Sequence, residues 1–175
     1  MPDALQALRD ALSALPPAPT DEGFVDLLVL RPARGERQVP DSLQLTPERG
    51  IEGDRWGQRS QRDRSRQVSA IRADVARVLA GSAPLEASGD NLLLQLDLST
   101  HNLPPGSLLE IGTTKLRITE EPHVPCGLFS QRLGPEAKAV TLEAGFHSWR
   151  LRGILLEVVS AGVIRVGDKV RVERP

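Results

Sequence analysis

The chain holds one cysteine in 175 residues, so no internal disulfide can form, which fits a reducing, cytoplasmic setting. Histidine is also scarce, at three, and with that one cysteine leaves no paired motif for a structural zinc site, which takes four protein ligands. Aromatic residues make up 3% and tyrosine is missing, so there is little on which nucleic-acid bases can stack. No long apolar run occurs; the longest are short, as at residues 27–30, and none spans a bilayer. The N-terminus has neither the basic start nor the unbroken apolar stretch of a signal peptide. Neither sign of charge dominates: 22 basic against 23 acidic residues give a net charge of −1, and with it no global attraction to nucleic acid or membrane. What remains is 39% hydrophobic, too apolar for a wholly disordered chain and long enough to bury the core of one domain.

Glycine and proline, 15 and 14 residues, punctuate the chain. Leu5, Leu8, Leu12 and Leu15 recur at helical spacing within residues 3–15, Asp3 can cap the start, and Pro16, Pro17 and Pro19 end the helix. Residues 1–20 therefore read as an N-terminal helix and proline-rich linker, whose apolar stripe packs on the body or on a second copy in a homodimer. Residues 21–175 read as the main domain. Strands are expected at 24–31, 42–45, 67–71, 91–96, 107–111, 114–119, 153–160 and 169–174, with Gly112-Thr113 as a tight hairpin turn. Residues 32–40 and 58–66 read as loops, 48–57 as a glycine-rich turn region, and 103–106, 161–162 and 166–168 as turns. Helices are expected from the end of the 67–71 strand to Ala80, with Gly81 as the stop, and over 126–133. Many short strands with glycine turns predict a mainly β fold, a β-barrel with a few short helices; the alternating βαβ units of a Rossmann-type fold are missing.

Cys126 lies between an expected strand and an expected helix. A thiol at a helix start meets unpaired backbone N–H groups, which favour the thiolate that attacks electrophiles and binds metals. The other reading is a buried cysteine acting as a small hydrophobe. His123 is close enough in sequence to share its site. Gly50-Ile51-Glu52-Gly53-Asp54-Arg55 is a turn in which Asp54 can hold backbone N–H groups or orient Arg55. Arg55, Arg59, Arg62, Arg64 and Arg66 follow, suited to phosphate or carboxylate, or else a solvated loop of local ion pairs. Asn91, at a strand start, can reach a ligand or bond its own turn. Arg150 and Arg152 point the same way if both lie on a strand, to grip an anion or to pair with Glu157.

Taken in order, Gly50-Ile51-Glu52-Gly53-Asp54-Arg55, Gly89-Asp90-Asn91-Leu92, Leu103-Pro104-Pro105-Gly106, Pro125-Cys126 and Arg152-Gly153 resemble the motifs of MOSC domains, named from the C-terminal part of molybdenum cofactor sulfurases. Residues 162–170 are similar to that family's closing turn and strand, and the resemblance runs from about Phe24 to Val172. It implies a β-barrel of MOSC type. It implies that Cys126 ligates molybdenum of the molybdopterin cofactor, with Gly53, Asp54, Arg55, Asn91, His123 and Arg152 as cofactor-binding candidates and Arg55, Arg152 and the Gly53 turn facing the pterin's phosphate. The expected activity is that of an oxidoreductase reducing N-hydroxylated small molecules with electrons from a separate donor. The alternative implied by the resemblance is a sulfur carrier that holds a persulfide on Cys126, received from a partner cysteine desulfurase that carries the pyridoxal phosphate.

Overall fold

A computed structural model describes residues 3–175. Its first element, α1 (Ala4–Ser13), is capped by Asp3, whose carboxylate accepts from the Leu5 N–H. The leucine stripe lies against the body: Leu12 is fully buried, and Leu5, Leu8 and Leu15 pack around it.

Among the described residues ten strands follow in two groups. A closed barrel is formed by β1 (Glu22–Leu28), β4 (Val68–Arg72), β5 (Leu92–Gln95), β6 (Leu108–Ile111), β7 (Thr114–Ile118), β8 (Ile154–Ser160) and β10 (Lys169–Glu173). Around it they run β1-β10-β6-β7-β8-β4-β5, and β5 closes back on β1. β2 (Ser42–Thr46), β3 (Gly50–Ile51) and β9 (Gly162–Arg165) make a small sheet in the order β3-β2-β9. Every pairing is antiparallel except β4 with β5. Parallel neighbours need a crossover, supplied here by α2 (Ala73–Ala80).

β7 alternates buried and more exposed residues, as expected of a strand with one wet face. β4 does not, because both its faces are covered. Val68 and Ala70 enter the barrel core with Leu92, Leu94, Leu116 and Leu156. Ile71 joins a second cluster outside the barrel, with Leu93, Val75, Leu79, Phe129 and Val140. That outer cluster is roofed by α1, α2, α3 (Gly127–Leu133) and α4 (Pro135–Thr141).

The mainly β barrel matches the expectation, with differences in detail. The 161–162 turn is shorter than expected, since Gly162 already begins β9. The glycine-rich region at 48–57 holds β3 and the start of a 3-10 turn, Arg55–Gln58. α4 was not anticipated. Among the described residues no helix is long and apolar enough to cross a membrane.

Candidate functional site

A cavity of about 270 Å³ opens beside α3, between the loop leading to Cys126 and the turns that hold Arg31, Arg55 and Gly89. Cys126 is the extended residue that starts α3, and it is exposed. Partial burial works to raise its thiol pKa, but the nearby backbone N–H groups of Phe129 and Leu128 and the positive charge of Arg152 outweigh it. The thiol therefore lies below its ordinary value, on the side of thiolate.

Arg152 is locked in place. Its Nη1 donates to Asp90 Oδ2 at 2.6 Å, its Nη2 to the Ser88 carbonyl at 3.4 Å, and its guanidinium lies 4.7 Å from the Phe129 ring centre. Arg152 is 8% exposed and Asp90 fully buried, so each supplies the other's needed counter-charge. Gly153 makes this possible: a Cβ there would come within 2.0 Å of the Ala70 carbonyl oxygen, so only glycine lets the chain press onto β4 at this point. His123 stands beside the pair, its Nδ1 3.6 Å from Asp90 Oδ1. Burial, reinforced by Arg152, pushes the imidazole pKa down to about 4, so His123 is neutral at pH 7.

Behind the cavity wall lies a second buried network. Asp54 accepts from Arg31 Nε and Nη2, both at 3.0 Å, from the Trp56 N–H at 3.0 Å and from Asn91 Nδ2 at 3.1 Å. Burial works to raise the Asp54 pKa, but Arg31 and these donors hold it below the usual carboxylate value. Asp54 thus orients Arg31 and not Arg55. Asn91 is fully buried, donates also to the Val29 carbonyl and accepts from the Ser69 N–H, so its amide is spent inside the protein. Gly53 packs near the Leu30 methyls, away from the cavity.

Of the candidates from the sequence, Cys126, Arg55, His123 and Arg152 line the cavity together. Gly53, Asp54 and Asn91 form the frame behind it. The expected alignment of Arg150 with Arg152 does not occur. Both precede β8 instead of lying on it, and Arg150, with φ 50°, turns away to donate to the carbonyls of Leu98, Ser99 and Leu103. Glu157 pairs with Arg117 instead. The basic stretch after Arg55 also divides: Arg59 and Arg66 reach the cavity, whereas Arg62 covers Trp56 and Arg64 donates to the Val158 carbonyl. Arg31, Arg37 and Arg132 line the cavity without having been singled out in the sequence. They come from distant segments, and no local spacing marks them. Among the described residues no group of three or more potential ligating side chains is poised for a metal.

The sequence model of the MOSC domain matches residues 51–171. Solved structures with a similar fold include the YuaD protein from Bacillus subtilis, at 18% identity and a TM-score of 0.66, covering 88% of this chain and 97% of that one. YiiM from Escherichia coli is 18% identical with a TM-score of 0.60, covering 87% of this chain and 70% of that one. YiiM from Geobacillus stearothermophilus is 15% identical with a TM-score of 0.55, covering 90% and 76%. No curated protein matches the chain.

Proposed function

The chain belongs to the MOSC domain family, and from that premise we propose that it holds a molybdenum–molybdopterin cofactor in the arginine-lined cavity, with Cys126 as the protein's ligand to the metal. The observation that carries this reading is an exposed, thiolate-favouring cysteine at a cavity walled by guanidinium groups. The donor set fits. One thiolate is too little for a metal held by protein alone, but it suffices for a metal whose other sulfur ligands come with the pterin. Buried Nε atoms of Arg37 and Arg55, both without a hydrogen-bond partner, also suit a cavity that takes an anionic ligand.

When bound, such a cofactor supplies oxygen-atom transfer coupled to two-electron redox change. The chain's own residues do the rest. The N–H groups of Leu128 and Phe129 favour the thiolate of Cys126, and Arg152, fixed by Asp90, adds positive charge beside it. Arg55 would offer a guanidinium to the cofactor's phosphate. The reaction is reduction of an N-hydroxylated small molecule, which consumes two electrons and two protons and releases the amine and water. The electrons come from a separate donor protein.

Chain produced in a host that makes molybdopterin carries molybdenum, and Cys126→Ser lowers the metal content at least about tenfold, the scale of losing a charge-assisted ligand. Elemental analysis of the two purified proteins decides it; equal molybdenum in both would remove Cys126 from the role of ligand. The exposure of the same thiol supports a second reading, a sulfur carrier loaded by a pyridoxal-phosphate cysteine desulfurase. Mass spectrometry after incubation with such an enzyme and cysteine tests that reading through the presence or absence of one added sulfur on Cys126.

A further inference from the structure

A second cavity, of about 290 Å³, adjoins the first. His123, Val124, Arg152 and Leu155 border both, but Cys126 does not reach the second, nor do Arg31, Arg37, Arg55 and Arg132. Its wall is made by the end of β7, the loop over residues 119–125, the end of α4 and the approach to β8. Its polar anchor is Arg150, which follows the 3-10 turn Ala144–Trp149 with φ 50° and ψ 53°. Among the described residues it is the one non-glycine residue with positive φ, a strained conformation kept only where surrounding contacts impose it. Those contacts are carbonyls: Nη1 donates to Leu103 at 2.7 Å, Leu98 at 3.2 Å and Ser99 at 3.4 Å. Nη1 is thereby spent. Nε and Nη2 have no partner among the described residues, and burial alone, with no charged neighbour contributing, lowers the Arg150 pKa. These two nitrogens aim their N–H groups along one edge of the guanidinium plane, spaced for the two oxygens of a carboxylate. The protein uses the same edge twice within itself. Arg31 gives it to Asp54, at 3.0 Å from each nitrogen, and Arg72 gives it to Asp74, at 2.6 and 2.7 Å. Arg150 alone brings it to a cavity wall with no carboxylate of the protein against it. Of the two glutamates in that wall, Glu121 is taken by Arg66 at 2.6 Å and Glu120 is exposed, where water screens it.

The remaining lining is apolar. Val124, 59% exposed, and Leu142, 60% exposed, are the two most exposed large hydrophobic residues described, and both border this cavity. An apolar body that enters between them removes their surface from water. We infer that the cavity binds a small organic monocarboxylate, its carboxylate on the Nε–Nη2 edge of Arg150 and its apolar body against Val124 and Leu142. One open edge carrying one positive charge matches a planar monoanion better than a dianion. At the roughly 30 Å³ that a water molecule takes in the liquid, the volume suits a ligand of about ten non-hydrogen atoms. The site stands apart from the cofactor reading, since none of its contacts needs a metal on Cys126.

The probe is phenylacetate, an acid of that size, with phenylacetamide as its uncharged counterpart. Each is titrated at pH 7 into the whole metal-free chain labelled with nitrogen-15. Phenylacetate shifts the amide signals of residues 118–125 and 141–155 saturably. Phenylacetamide binds at least about tenfold more weakly, the scale of losing a charge-assisted fork. Leu142→Ser changes an exposed side chain, keeps the fold, and weakens phenylacetate at least about threefold through lost apolar contact. Arg150→Lys keeps the charge without the fork; it weakens the acid at least about tenfold and leaves the amide where it was. If that variant does not fold, the acid-to-amide ratio in the unaltered chain and the loss in Leu142→Ser decide the matter. Equal binding of acid and amide, no saturable shift by the acid, or shifts confined to other segments would overturn the site. An Arg150 that only pins the carbonyls of residues 98–103 predicts a lower melting temperature in Arg150→Lys and no preference for the acid over the amide in the unaltered chain. The titration needs no molybdenum, so its failure and the failure of the cofactor reading are told apart.

Discussion

His123 illustrates what one side chain does to the pH response of this protein. Its imidazole is 14% exposed and sits beside the locked Asp90–Arg152 pair; burial, aided by Arg152 and opposed by Asp90, keeps it neutral in the folded state down to about pH 4. The unfolded chain protonates the same group near its ordinary 6.5. Between those values the unfolded state binds the extra proton, so the stability contributed by neutral His123 is present above pH 6.5 and is lost as pH falls toward 4. The span corresponds to about 3 kcal/mol. Asp54 adds its own loss only below that window, because its folded pKa lies under the ordinary 3.8. Urea denaturation of metal-free protein at pH 7, 5.5 and 4.5 shows this decline, and His123→Gln flattens it; an unchanged slope in the variant would place the acid sensitivity elsewhere. At this scale the sequence exposed what is local. Cys126 was legible because proline, glycine and a following helix all lie within a few residues of it. The partners of Arg31, Arg152 and Asn91 were not, since each bond joins segments tens of residues apart, as from Arg152 to Asp90 or from Asn91 to Asp54.

Among the elements, the approach to β8 sets the site. Arg152 reaches Asp90 only because the next residue, Gly153, takes φ +94° with its Cα against the β4 backbone. Gly153→Ala places a Cβ where the Ala70 carbonyl stands and imposes an unfavourable backbone angle, so it lowers stability by about 3 kcal/mol. The same displacement pulls Arg152 off Asp90, leaving two buried charges unmatched. Chemical denaturation measures the loss, and a change below about 0.5 kcal/mol, the range of ordinary surface substitutions, would refute the packing argument. Elements with a strong repeating pattern were readable from sequence. β10 alternates charge and apolar residue, and α2 ends at Gly81 as its composition implies. α4 escaped notice despite Pro135 at its first turn, because only Ala137 and Val140 are buried and so brief a stripe carries little periodic signal. β9 escaped for a similar reason: it is short, and its partner β2 lies more than a hundred residues earlier.

The whole molecule consists of two apolar clusters that share the wall formed by β4 and β5. One fills the barrel; the other, outside it, depends on the helices, of which α3 lines the cavity and α4 packs against α3. α1 is the outermost piece of that second cluster. It packs on α4 and α2, places Leu12 at 0% exposure and pairs Arg9 with Glu143 at 2.8 Å. Burying one leucine fully is worth about 1.5–3 kcal/mol, so α1 contributes one such increment through Leu12 and smaller ones through the partly buried Leu5 and Leu8, all to the helical cluster and none to the barrel core. Loss of residues 1–20 therefore loosens the molecule unevenly. α4, stripped of its cover, opens more often, and α3 follows because the two helices pack on each other. Cys126, which starts α3, and Arg132, within it, move with that helix. Native-state hydrogen exchange of a chain lacking residues 1–20 shows protection in α3 and α4 reduced at least about tenfold, while β6, β7 and β10 keep most of theirs. A uniform fall in protection across helices and strands would mean that the two clusters form one cooperative unit, with α1 supporting the barrel as much as the site.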